Sequence, residues 1–154
     1  MKKIMLLMSL IIQTFIVFGQ SEYKLSRVAY ISAEIAILDA IINSPQFDSI
    51  NNLCSIDSCR FLEDEELFIE KVVISLKEQN PKFTILNWEE RNNACYWILG
   101  DFYINPYIEN PKEARVQLTL ILEHKKGELN GIDIGIEMEK NDNQWHILYF
   151  ATYE

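Results

Sequence analysis

Two carboxylates and an imidazole near the C-terminus are the residues best equipped for chemistry: Asp133 and Glu137, then His146. Ile132, Ile134, Ile136 and Met138 alternate with Asp133, Gly135 and Glu137, so a strand places both acids on the face opposite its apolar side chains. An acid or imidazole held within hydrogen-bond reach of a substrate, with a polarising donor on the other side, can move a proton. His146 shares its strand parity with Leu148 and Phe150, and whether it meets the acids depends on a register that sequence does not determine. The competing reading is the solvated face of an antiparallel sheet, and it is the preferred one.

Cysteine and histidine usage bounds the covalent and metal chemistry. Cys54 and Cys59 flank a short polar stretch that reads as a loop, and a disulfide between them is expected; pairing of either with Cys95 stays open. Cys95 lies in an aromatic run, the setting of a buried thiol. Neither His124 nor His146 stands at ligand spacing to a cysteine, so no metal site is expected. The acidic run Glu63-Asp64-Glu65-Glu66 lacks the glycine and alternate-residue spacing of a calcium loop and reads as a solvated helix start. No glycine-rich phosphate loop, nucleophile elbow or internal repeat occurs, and no cofactor is implied.

Aromatic side chains offer a different chemistry. Tyr96, Trp97, Phe102 and Tyr103, with Tyr107 beyond, form a row able to stack on a sugar or another flat ligand. The plainer reading is sheet core and cross-strand packing.

The elements that must position these residues follow from periodicity. A helix is expected over about Tyr23 to Ile42, where Val28, Ile31, Ile35, Leu38 and Ile42 repeat at helical spacing, with Ala29, Ala33, Ala36 and Ala40 widening the face. Asn43-Ser44-Pro45 stops it. A second helix is expected from about Asp64 to Gln79, its acids in the first turn and Lys71 and Lys77 later, as the helix dipole favours. Thr84 to Trp88 and Ala94 to Leu99 read as strands joined by a turn at Arg91-Asn92-Asn93, with a bulge or bend at Gly100-Asp101. Three long strands close the chain: Ala114 to Leu122, Ile132 to Met138 and Trp145 to Tyr153, linked by polar turns that make them antiparallel neighbours. The last is apolar at both parities and reads as a central strand covered on both sides.

Length and charge set the outer limits. With 154 residues and 49% hydrophobic content the chain supports one core. A net charge of −9 excludes the counterion-releasing mode of nucleic-acid binding and disfavours an anionic lipid surface. Lys2 and Lys3, the apolar run Ile4 to Phe18 and the small residues Val17 and Gly19 read as a secretory signal peptide over 1–19, with the mature chain starting at Gln20. The run is short for a bilayer span, so residues 20–154 are expected as one exported α+β domain, periplasmic or secreted, with no membrane span after cleavage.

The order of elements, a long apolar first helix, a shorter second one and a run of antiparallel strands ending in Trp145-His146-Ile147-Leu148, resembles the nuclear transport factor 2-like superfamily, with its polyketide-cyclase-like and ketosteroid-isomerase-like domains. The resemblance covers about Tyr23 to Tyr153 and implies a curved, mainly antiparallel sheet wrapped as a cone around the first helix, with a pocket between them. Cystatin-like folds are the nearest alternative. Catalytic members carry an acid or a His and Asp pair inside the cone, with a Tyr or second acid holding an oxyanion; carried onto this chain, the candidates are Asp133, Glu137 and His146, supported by Asp101 and Tyr30.

Two functional classes follow. The first is a noncatalytic binding or interaction domain for a small apolar ligand or an envelope protein. The second is a small general acid/base enzyme of the isomerase, cyclase or hydrolase type. The missing nucleophile, metal set and cofactor motif favour the first, and the facing of Asp133, Glu137 and His146 discriminates between them.

Overall fold

In the computed structural model, residues 24–54, 59–62, 70–87, 89–91, 94–125 and 128–153 are described. The expected signal peptide, the start at Gln20 and the acidic run 63–66 lie outside them.

Helix α1 spans Arg27–Ile42. It begins later than periodicity suggests because Ser26 is extended and its side chain accepts the Ala29 N–H at 3.2 Å, which ends the non-helical lead-in. Its far end is closed by Asn43, whose side-chain amide donates to the carbonyl and carboxylate of Asp39. Pro45 then opens a helix instead of a loop. In α2, Pro45–Asn51, the proline sits in the first turn, where its missing N–H has no partner to lose, and Ser44 caps Phe47. A 3-10 turn, Asn52–Cys54, follows.

A short strand β1, Cys59–Leu62, comes next, then α3, Glu70–Gln79, and β2, Phe83–Leu86. The remaining strands are β3, Tyr96–Ile104, β4, Glu113–Lys125, β5, Glu128–Asn141, and β6, Gln144–Tyr153. They form one six-stranded sheet in the order β2-β1-β3-β4-β5-β6. β1 runs parallel to both neighbours, and β3 to β6 form an antiparallel meander. The fold is therefore α+β, helices against a mixed, curved, open sheet. Bends come from bulges: the ladder shifts between Leu99 and Phe102, at the predicted Gly100-Asp101 position, between Ile121 and Glu123, and between Glu137 and Met138. The turn into β6 uses Asp142 and Asn143 at φ 50° and 62°, the left-handed pair of a two-residue hairpin.

The last bulge corrects the reading of β6. Met138 pairs with Ile147 and Glu137 with Tyr149, so Leu148 is an extra residue and the face alternation is reset there. Trp145 and Ile147 face inward before it, and Phe150, opposite Ile136, faces inward after it; Thr152, opposite Ile134, keeps that parity at the exposed end of the strand. Tyr149, Ala151 and Tyr153 follow the outer side of β5. The strand is an edge of the sheet, and Leu148, Tyr149 and Tyr153 are exposed.

Helices α1, α2 and α3 lie against the sheet. α1 packs on β6 and α3, α2 on α1, and α3 on β2. Their shared core joins Ile37, Leu38 and Ile41 to Leu118, Leu120, Ile134 and Ile136. An aromatic stack under α2 anchors the other end: Phe47 lies 4.4 Å from Trp97, centroid to centroid, and Phe61 bridges Trp97 and Phe83. Trp97 donates its indole N–H to Asn51 Oδ1 at 2.9 Å.

The disulfide joins Cys54 to Cys95, with Cα atoms 5.6 Å apart, and not Cys54 to Cys59. Cys59 is instead a buried free thiol in β1. The physical reason is the strand: Cys59 is fixed in the ladder opposite Phe83 with its side chain in the core, while Cys54 ends the 3-10 turn above Cys95. A disulfide of this kind is consistent with an oxidising, exported environment.

Candidate functional site

Tyr103, near the end of β3, stands between two open grooves. One, of about 510 Å³, is lined by Tyr103, Asn105, Ile108, Asn110, Pro111, Lys112, Glu113, Ala114 and Arg115. The other, of about 480 Å³, runs from Tyr103 over Ile104 and Pro106 to Leu25, Arg27 and Tyr30. The β3–β4 connection builds the wall between them. Its Pro106 carbonyl accepts the backbone N–H groups of Lys24 and Leu25 at 3.1 and 3.0 Å, which ties the loop to the head of α1. The base of the loop is fixed by the Lys140 N–H, which donates to the Lys112 carbonyl at 2.7 Å. Tyr103 itself is 56% exposed because it follows the bulge and faces the outer side of the sheet, opposite Arg115.

Tyr30 links the second groove to the interior. Its ring meets Phe102 edge-on at 6.1 Å, and one helical turn further Glu34 is buried, only 6% exposed. Burial pushes the Glu34 carboxyl up to about 7, and the Tyr30 hydroxyl is raised by burial and then by the Glu34 charge. A carboxyl with this environment changes protonation state near neutrality, the property of an acid/base group. Sequence reasoning passed over Glu34. The signal is present, however: the buried stripe of α1 runs through Glu34, Ile37, Leu38, Ile41 and Ile42, whereas Val28, assigned to the apolar face, is 65% exposed. With alanines and isoleucines on several sides of the helix, spacing alone places that face a few residues off.

The other candidates are dispersed. Asp133, Glu137, His146 and Asp101 are exposed and stand on or beside the outer face of the sheet. Asp133 accepts a hydrogen bond from Thr119 Oγ1 at 2.6 Å, and Glu137 pairs with Arg115 at 3.5 Å, both in the open. His146 is opposite Glu139 at the sheet edge. Asp133 also borders a shallow trough of about 270 Å³, floored by Gly100 and Gly135, with Tyr153 close above Gly135. Of the four aromatic candidates, Tyr96 and Trp97 are buried and Phe102 is half-buried. Only Tyr103 remains available as a stacking surface, so the row is not a platform.

No protein-family model, curated protein or solved structure matches this chain. Among the described residues, no three His, Cys, Asp or Glu side chains converge in a metal-ligating group, and no single helix is long and apolar enough to cross a membrane. What the arrangement at Tyr103 can do is hold a ring or short apolar chain between aromatic and proline surfaces, with Arg27, Lys112 and Arg115 at the rims.

Proposed function

We propose that the chain is an exported, noncatalytic binding domain whose ligand is a small apolar or aromatic molecule seated against Tyr103. One observation carries the reading: two grooves of about 510 and 480 Å³ share a tyrosine that is 56% exposed. Ligand sites are concave, mostly apolar and few per protein, and a large exposed aromatic ring at the junction of two such grooves is a natural anchor. The dispersal of Asp133, Glu137, His146 and Asp101 over a solvated sheet face supports binding over catalysis. Export, to the periplasm or beyond the cell, belongs to the same proposal and is supported by the disulfide and the N-terminal pattern. So does membership of the nuclear transport factor 2-like superfamily, supported by a long first helix lying on a curved sheet.

The test uses 8-anilinonaphthalene-1-sulfonate as the probe, followed by its fluorescence on titration with folded protein. Tyr103→Ala is expected to weaken dye binding by about tenfold, the loss of roughly one good aromatic contact, with an unchanged circular dichroism spectrum. Equal binding by both proteins would remove Tyr103 from the site.

Glu34 favours a second reading, a small acid/base enzyme. Its carboxyl, raised to about 7, lies one turn from Tyr30, which lines the groove. In that case Tyr30 donates a hydrogen bond to a developing oxyanion while Glu34 holds or releases a proton behind it.

A further inference from the structure

The three cysteines lie around one point of the core. Phe61 of β1 pairs with Trp97 of β3 in parallel register. Two residues before that pair stand Cys59, the first residue of β1, and Cys95, just ahead of β3, so continuing the same register sets the two side by side. Side chains two apart on a strand share a face, and Phe61 and Trp97 face each other inward with ring centroids 6.3 Å apart. Cys59 and Cys95 both pack into the core on this side. Cys59 is buried within the main core cluster, and Cys54 and Cys95 pack against that cluster. Neighbouring strands run about 4.8 Å apart, inside the range of about 4.4–6.8 Å that a disulfide spans between Cα atoms. The existing bond spans 5.6 Å. In that register Cys95 has, besides its bonded partner Cys54, a free cysteine at a strand spacing that a disulfide can span.

We propose that Cys54, Cys59 and Cys95 form a thiol–disulfide exchange site, in which the bond joining Cys54 to Cys95 passes to Cys59 and Cys95 and leaves Cys54 as the free thiol. The step is balanced within the chain. Cys59 gives its proton to solvent, and its sulfur attacks Sγ of Cys95; the new S–S bond forms as the old one breaks, and Cys54 departs as a thiolate that takes up a proton. No oxidant or reductant is consumed.

What restrains the exchange is the cover over Cys59. Burial raises its pKa, with the Asp48 charge adding to the effect, so the thiol is held protonated while α2 is seated. α2 is held down by the Phe47 stack on Trp97 and by the Asn51 acceptor for the Trp97 indole. Cys54 follows α2 through the 3-10 turn, so lifting this segment both exposes the attacking sulfur and frees the leaving one. After exchange Cys54, half-buried beside the exposed Leu53, is the sulfur that a second protein's thiol or disulfide can reach.

The experiment maps disulfides by mass spectrometry in the wild type, Cys54→Ser and Cys59→Ser, each incubated in a glutathione redox buffer and quenched with acid. Proteolysis before Asp57 separates Cys54 from Cys59. Cys54→Ser is expected to carry a Cys59–Cys95 crosslink. In the wild type, alkylation of Cys54 is expected to exceed that in Cys59→Ser by about tenfold, because only the wild type has the competing thiol. A native-like Cys54→Ser protein with both remaining thiols free would overturn the proposal. If that variant does not fold, equal Cys54 labelling in the wild type and Cys59→Ser overturns it instead.

Discussion

Trp97 Nε1 donates to Asn51 Oδ1 at 2.9 Å, and both side chains are buried. The bond fastens α2 to β3, and so fixes the segment that leads from α2 to Cys54. Replacing Asn51 with leucine keeps the branched shape and removes the acceptor, leaving a buried indole N–H with no partner. A loss of about 1–3 kcal/mol is expected. Urea unfolding followed by tryptophan fluorescence measures it, and an unchanged midpoint would show that the bond contributes nothing.

Glu34 makes stability depend on pH. Its folded-state pKa, about 7, lies above the ordinary value of 4.5, so between these values the folded chain binds more protons than the unfolded chain. Stability is then fully present below about 4.5 and falls as pH rises through about 7. Glu34→Gln removes this dependence. At pH 8 the variant is expected to exceed the wild type by roughly 1–2 kcal/mol, after allowing for solvent screening. Thermal melts across the pH range check it. A variant curve parallel to the wild type's would place the titration elsewhere.

The meander was the legible part of the fold, because β4 and β5 alternate cleanly and their faces are decided by burial on one side. The bulge at Gly100-Asp101 was legible too, as a glycine interrupting an aromatic strand. Three features were hidden for identifiable reasons. β1 has only four residues, too few for a period to register. Leu148 is apolar like its neighbours, so the shift it introduces leaves no trace in the hydrophobic pattern. The pairing of Cys54 with Cys95 depends on where α2 lies over β3, and that contact joins residues 41 positions apart. At the site, Tyr30 and Tyr103 were both candidates, but their meeting at one groove depends on how the β3–β4 loop docks on α1, which no local spacing encodes.

The solvated outer face predicts tolerance. Asp133→Asn, Glu137→Gln and His146→Gln each alter an exposed side chain. The Arg115–Glu137 pair is exposed on both sides, which leaves little to lose when it is broken. Each change is expected to shift stability by no more than about 0.5 kcal/mol and to leave dye binding at Tyr103 intact. Chemical denaturation of the three variants checks the first point and the dye titration the second. A large loss in any of them would reveal a role for the outer face beyond solvation.

Deleting Leu148 separates the bulged edge strand from a regular one. In a regular strand, removing one residue turns every later side chain to the opposite face, which would expel Phe150 and bring Tyr149 inward. Here Leu148 is the extra residue, so its deletion closes the bulge: Ile147 stays opposite Met138, Tyr149 opposite Glu137 and Phe150 opposite Ile136. The core face of β6 survives, and what is lost is the local twist that the bulge adds. The deletion is expected to fold and to change stability by no more than about 1 kcal/mol, measured by thermal unfolding. Deleting Val116 in β4 is the contrast, since that strand is paired on both sides and has no slack at this position. Collapse of the Leu148 deletion to the level of the Val116 deletion would show that β6 depends on an unbroken alternation after all.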